Sequence, residues 1–217
     1  VKIEERIKPD KIENIIDAAQ RRFSLYGLEK TSMREIANDL HISKASLYYY
    51  FPDKENLYLS VIGREQSEFI RIIKEELISI DDPAECLRMY ALKRLSYFRT
   101  LLNLGRLKIV EIYGLKPVLA STLARFREEE TMLVTKVLDT GNQTGLFIID
   151  NTYKVAALFL DLLRGLRISF MTNKEFSVMD ESEYESLSEK VGDITDIFIN
   201  GLMCNTTNTY KNNQSNK

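Results

Sequence analysis

Few side chains in this sequence carry the chemistry of a catalytic centre. His41 is the single histidine among 217 residues, and Cys86 and Cys204 stand far from it and from each other. A metal site draws three or four His, Cys or carboxylate ligands at short or recurring spacing, so neither a metal nor another cofactor is expected. The run "REEE", Arg127 to Glu130, offers acids and bases. Adjacent positions on a helix point in different directions, however, so the run reads as a solvated surface. No nucleophile motif and no glycine loop for phosphates occurs. What remains is the stretch "TSMREIANDLHISKASLYYYFPDKENL", Thr31 to Leu57, with consecutive tyrosines at 48, 49 and 50 and Lys54 just past Pro52. Phenol and ammonium groups donate to phosphates, and an aromatic ring can lie against a sugar or a thymine methyl. The chemistry on offer is nucleic-acid binding.

Helices must position these groups. Apolar residues recur at helical spacing almost throughout, with no alternating run of the kind a strand needs, and only four prolines interrupt them. Ile12, Ile15, Ile16, Ala19 and Phe23 form the stripe of a first helix from Pro9 to Tyr26, with Gly27 as its left-handed stop. Ser32 and Glu35 make a capping box for a short second helix, whose stripe is Met33, Ile36, Ala37 and Leu40. After a turn at His41 and Ile42, Ser43 caps a third short helix that ends at Pro52. Two short helices joined by a tight turn have the proportions of a helix-turn-helix, in which the second helix enters the DNA major groove. Leu47 and Phe51 then anchor the recognition helix, Ser43 to Phe51, and at least one tyrosine must look outward. Tyr49 is assigned to phosphate with Tyr48 packed beneath it. Lys54 adds charge where free helix N–H groups already favour an anion.

Downstream, Asp53 caps a long fourth helix through Leu57, Val61, Phe69 and Ile73 towards Ile80, and Asp82 with Pro83 opens a fifth that Gly105 ends. A short apolar piece, "LKIVEIYGL", precedes the long helix "VLASTLARFREEETMLVTKVLDTG". "GNQTG" reads as a loop, Asp150 as the cap of "TYKVAALFLDLLRGLRISFM", and residues 173–182 as a linker. A last helix carries Tyr184, Leu187, Val191, Ile194, Phe198 and Leu202. The asparagine-rich tail is expected to be disordered.

The Thr31 to Leu57 stretch resembles the N-terminal signature of tetracycline-repressor-like (TetR-family) regulators. Thr31, Ile36, Ala37, Ser43, Leu47, Tyr48, Phe51, Lys54 and Leu57 match its pattern. Three positions depart from it: His41 and Ala45 replace glycines, and Tyr50 replaces a histidine. Histidine tolerates a left-handed turn, while the methyl group of Ala45 stands where backbone approaches DNA and alters which bases are read. The resemblance implies DNA contacts from Thr31, Ser32, Ser43, Lys44, Ala45, Ser46, Tyr49, Tyr50 and Lys54. It also implies a ligand cavity in the second domain, for which Phe69, Arg94, Tyr97, Arg106, Tyr113 and Phe126 are candidates, and a homodimer formed by the last two main helices. Leu162, Gly165, Leu166, Ile194 and Phe198 are the residues for that interface.

The expected protein is therefore all-α, with a three-helix DNA-binding domain over 1–52, a helical regulatory and dimerisation domain over 53–204, and a tail over 205–217. Its expected role is a ligand-responsive repressor that binds a palindromic double-stranded operator as a homodimer and is released by a mostly apolar small molecule. A constitutive architectural factor of the same fold is the nearest rival, and an α-helical enzyme or carrier the more distant one. Net charge is only −2, so DNA binding must rest on local arrangement. No segment is apolar enough to span a membrane and the first ten residues are too polar for a signal peptide, which makes the expected location cytoplasmic.

Overall fold

The computed structural model describes residues 9–100, 116–171 and 180–203. Among these are eight helices: α1 Pro9–Lys30, α2 Met33–Asp39, α3 Lys44–Tyr50, α4 Lys54–Leu77, α5 Pro83–Thr100, α6 Lys116–Gln143, α7 Thr152–Met171 and α8 Glu181–Leu202. The fold is all-α. The one β-type pairing among the described residues is an isolated bridge between Phe147 and Met203, and no helix there is long and apolar enough to cross a membrane. The chain divides into two compact units, Val1–Arg71 with Tyr97–Phe126, and Ile72–Ser96 with Arg127–Lys217.

The first unit is built on α1 to α4. Ile15, Ala19 and Phe23 of α1, Ile36 and Ala37 of α2, Leu47 and Phe51 around α3, and Leu57, Val61 and Ile62 of α4 share one apolar core. Each large apolar side chain buried there contributes roughly 1.5–3 kcal/mol, enough to hold two seven-residue helices that would not form alone. Gly27 does not stop α1. It breaks the helix with φ 78° and ψ 167°, after which the chain resumes helical form to Lys30. The capping box of α2 is present, with Ser32 Oγ accepting from Glu35 N–H and the Glu35 carboxylate accepting from Ser32 N–H. His41 takes φ 53° between α2 and α3, the left-handed turn its side chain tolerates.

The core of the second unit includes Leu87, Tyr90 and Ala91 of α5, Leu133, Val134 and Leu138 of α6, Ala156, Phe159, Leu160 and Leu163 of α7, and Leu187, Val191 and Ile199 of α8. Four boundaries differ from expectation. The glycine-bearing "GNQTG" is not all loop, because α6 runs through Gly141 to Gln143. The Phe147 ring lies where a Gly141 side chain would be, with its Cδ2 2.0 Å from an idealised Cβ, so glycine here permits a close approach rather than a turn. Asn142 then holds the outgoing chain, donating to Ile149 O at 2.8 Å and accepting from Ile149 N–H at 3.0 Å. The cap of α7 is Asn151, whose Oδ1 accepts from Lys154 N–H at 2.9 Å, and not Asp150. The last helix starts at Glu181 under an Asp180 capping box, inside the segment read as linker, and α4 stops at Leu77 rather than Ile80.

Candidate nucleic-acid interface

α3 is capped at its start by Ser43, whose Oγ accepts from Ser46 N–H at 3.0 Å, and closes on Phe51, whose N–H donates to Leu47 O at 3.0 Å. Leu47 is fully buried and Phe51 nearly so, whereas Tyr49 is 66% exposed and Tyr48 41%. The tyrosine run therefore has two outward members. Tyr48 is not packed beneath Tyr49, as the sequence suggested. It carries Lys44 Nζ over its ring at 5.4 Å. The more covered member is Tyr50, packed on the core, edge-on to Tyr49 at 5.2 Å and under Lys11 Nζ at 5.4 Å. Ser43, Lys44 and Ala45 are exposed and Ser46 half-buried. The opposite face of a buried anchor thus presents two phenols, a lysine and an alanine.

Two expected members of the site are turned to internal tasks. Thr31 is buried and its hydroxyl donates to Gly27 O at 2.8 Å, closing the break in α1, so it does not join the exposed face. Lys54 Nζ donates to Leu28 O at 2.8 Å, which ties the start of α4 to the end of α1. Ser32 remains exposed, although its hydroxyl is engaged by Glu35 Oε2 at 2.8 Å. That bond, with the backbone one, holds the Glu35 carboxyl below its usual range.

Ion pairs that the sequence pattern did not mark set the spacing of these helices. Arg22 of α1 grips Asp39 at the end of α2 through Nε at 2.5 Å and Nη2 at 2.8 Å, and also lies 3.4 Å from Glu35. The hydrogen bond to Arg22 lowers the Asp39 pKa. Arg64 of α4 reaches Asp17 at 2.6 Å and Glu13 at 3.2 Å on α1, and donates to Gln20 Oε1. Residues thirteen to fifty-one positions apart leave no local spacing signal.

Of the proposed ligand residues, Phe69 stacks on Tyr97 with centroids 4.7 Å apart and meets Phe126 at 5.9 Å. Tyr97 O–H donates to Glu65 O, and burial pushes its phenol pKa up. A cleft of about 310 Å³ beside Tyr97 is walled by Gln20, Arg64, Glu65 and Glu68, so its lining is largely charged. Gln66, also on α4, is buried with neither amide atom hydrogen-bonded among the described residues. Arg94 belongs to the second unit, where it meets Glu130. Arg106 and Tyr113 lie outside the described residues. Of the proposed interface residues, Leu162 is 45% exposed and Gly165 exposed with open space beside it. Leu166 and Ile194 are half-buried. Phe198 stacks on Phe159 of the same chain at 4.8 Å.

Residues 15–61 match the family model described as bacterial regulatory proteins, tetR family. The chain is similar to the crystal structure of a transcriptional regulator from Cytophaga hutchinsonii, at 39% identity and TM-score 0.79 over 89% of this chain and 99% of that one. The chain belongs to the tetR family. Two curated relatives share lower identity over most of the chain. The HTH-type transcriptional regulator QacR of Staphylococcus aureus is 25% identical over 88% of this chain and 97% of its own. The HTH-type transcriptional regulator YxaF of Bacillus subtilis is 23% identical over 76% and 87%. As a tetR-family member the protein is a helix-turn-helix transcriptional regulator, and α2 and α3 are the two helices of that motif. The matched segment contains α2, α3 and the core that holds them.

Proposed function

We propose that the protein is a repressor that binds a near-palindromic operator as a homodimer and leaves it when a small molecule binds. The observation that carries this reading is the two-sided α3, with Leu47 and Phe51 inward and Lys44, Ala45, Tyr48 and Tyr49 outward. Ser43, Lys44, Ala45, Ser46, Tyr49 and Tyr50 approach the major groove and its phosphates, flanked by Ser32, and Lys54 adds charge at the edge when it exchanges the Leu28 carbonyl for a phosphate. One recognition helix reads one half-site, so tight binding needs two protomers with half-sites about 34–36 Å apart. The exposed apolar side chains Leu158, Leu162 and Ile168 on α7 and Ile197 on α8 support pairing through these helices. Release follows if ligand shifts α4, which has residues in both units, so that the two recognition helices no longer fit successive grooves. An effector can do this only through its differential affinity for the two states.

The test is operator binding by fluorescence anisotropy against salt, with sedimentation in parallel. Tyr49→Phe is expected to weaken operator and random DNA with little change in salt slope, because the hydroxyl carries no charge. Lys54→Ala is expected to lower the slope by about one unit per protomer. Leu162→Arg is expected to give a folded monomer that binds operator poorly. Phe198→Arg is a poorer probe because that ring also packs within its own protomer. A wild-type protein that stays monomeric at micromolar concentration, or one whose Tyr49 and Lys54 variants bind DNA unchanged, would overturn the reading.

A further inference from the structure

The outward face of α3 is poor in groups that read bases through paired hydrogen bonds. Its exposed residues are Lys44, Ala45, Tyr48 and Tyr49, with Ser43 exposed at the cap and Ser46 half-buried. The helix contains no arginine, asparagine, glutamine or carboxylate. Arginine pairs with O6 and N7 of guanine, asparagine and glutamine pair with adenine, and a carboxylate accepts from cytosine. Lys44 is the one cation of α3, and its Nζ lies over the Tyr48 ring at 5.4 Å. Ser43 Oγ is engaged in capping, accepting from Ser46 N–H at 3.0 Å. What α3 does present is the bare methyl group of Ala45 and two phenol rings, surfaces that suit the 5-methyl group of thymine.

The missing fork stands on α2, whose sides can be told apart by what covers them. Met33, Ile36 and Ala37 are buried in the core. Glu35 and Asp39, one turn apart, face α1, where Arg22 reaches both. Arg34 and Asn38 are also one turn apart and so share the remaining flank. Both are exposed, and among the described residues neither side chain has a hydrogen bond or an ion pair. Helix stability does not account for Arg34. It lies in the first turn of α2, where the aligned peptide dipoles favour an acid such as Glu35 and disfavour a cation. Packing does not account for it either, because the side chain is in solvent. An arginine of a helix-turn-helix with no partner inside the chain is available to one outside it.

We propose that Arg34 is a base-reading residue of this regulator. It gives its guanidinium fork to a guanine in the major groove, beside thymine methyl groups that lie against Ala45 and the tyrosine rings. Each half-site then holds one guanine and at least one neighbouring thymine. The first helix of a helix-turn-helix crosses the DNA backbone, so a long side chain on its free flank extends past the phosphates to a base edge. The planar fork matches O6 and N7 together, which the point charge of a lysine does less well. The inference rests on the reading of α3 as the helix that faces DNA, and adds the base chemistry that the operator must offer.

The experiment enriches duplexes from a random-sequence pool on the full chain, then measures affinity for the enriched site carrying single base replacements. 7-Deazaguanine removes N7 and keeps pairing, inosine keeps O6 and N7, and deoxyuridine removes the methyl group of thymine. At one guanine per half-site, 7-deazaguanine is expected to weaken the wild type about fivefold or more, and inosine hardly at all. Arg34→Ala is expected to lose about fivefold or more on the enriched site, less on random DNA, and to become indifferent to 7-deazaguanine there. Arg34→Lys is expected to keep part of the guanine preference. Deoxyuridine is expected to cost the wild type about two- to fourfold at one thymine or more, and Ala45→Gly to become indifferent to it. Arg34→Ala weakening enriched and random DNA by the same factor, with a salt slope lower by about one unit per protomer, would make Arg34 a phosphate contact and overturn the proposal. A wild type that tolerates 7-deazaguanine at every guanine would overturn it too, and one that tolerates deoxyuridine at every thymine would overturn its thymine part. If the enriched site is a single half-site and Arg34 governs its guanine, the inference stands and the dimer reading falls. A near-palindrome indifferent to Arg34→Ala gives the reverse.

Discussion

The two units treat arginine in opposite ways. In the first, Arg22 and Arg64 lie near the surface and each is matched by more than one carboxylate, Asp39 and Glu35 for the one, Asp17 and Glu13 for the other. In the second, Arg94 is buried against Glu130 at 2.6 Å, and Arg164 Nη2 stands 4.0 Å from the same carboxylate. Solvated pairs of the first kind set the spacing of helices at little energetic stake, because water screens them. Buried groups of the second kind raise the stake at every member, because a lost partner leaves a charge with nowhere to go. A reading head benefits from an arrangement that fixes α1, α2 and α4 without filling their core with polar atoms.

The largest effect should come from breaking the buried pair. Glu130→Gln is expected to destabilise the protein by about 3–5 kcal/mol in urea unfolding, since it removes the buried carboxylate that Arg94 and Tyr90 bond to. A loss below about 1 kcal/mol would mean that Glu130 does not neutralise Arg94. Next is Leu47→Ala in the first unit, expected to cost about 2–5 kcal/mol and to abolish operator binding, because it removes the anchor of α3. This pair of variants separates a cost carried by charge from one carried by apolar packing. Gly141→Ala is a steric control inside the second unit. Its new Cβ meets the Phe147 ring, with an expected loss of about 1–3 kcal/mol that Phe147→Leu partly restores.

The smallest effect belongs to the surface clamp. Asp39 is held below its usual pKa by Arg22, so its folded form takes up a proton less readily than the unfolded chain. Its stabilising contribution is therefore complete above the unfolded carboxyl pKa, about 3.9, and is lost as pH falls through the lower folded value. Melting temperatures of wild type and Asp39→Asn are expected to differ slightly at pH 6 and to converge well below about pH 4. A difference that persisted at low pH would assign the effect to packing instead.

Most of the first unit was legible because its signals are local. The Ser32 and Glu35 capping box, the Ser43 cap, the Leu47 and Phe51 anchors and the left-handed His41 each involve residues within four positions or a single backbone angle. Misreadings came where a side chain closes on a position that no pattern marks. Gly27 looked like a stop, yet Thr31 closes its break from four residues on. The loop at Gly141 required Phe147 to be seen against it. "REEE" read as surface because three of its four members are exposed, and Glu130 is the exception because α6 turns that one position towards Arg94 and Tyr90.

By itself the sequence determined that the chain is all-helical, where α2 and α3 begin, which side chains anchor α3, and that the tyrosines follow one another too closely for all to be buried. Helical periodicity and capping are properties of a few consecutive residues, and they need no knowledge of what lies across the core. Only the tertiary structure decided that Tyr48 and Tyr49 are the outward pair and that Lys54 holds the end of α1. It also decided that Arg94 sits on Glu130 while Arg164 does not reach hydrogen-bonding distance of it. The reason is physical: the worth of a charge or a phenol depends on the solvent left around it and on partners tens of residues away, and neither is written in the spacing of neighbours along the chain.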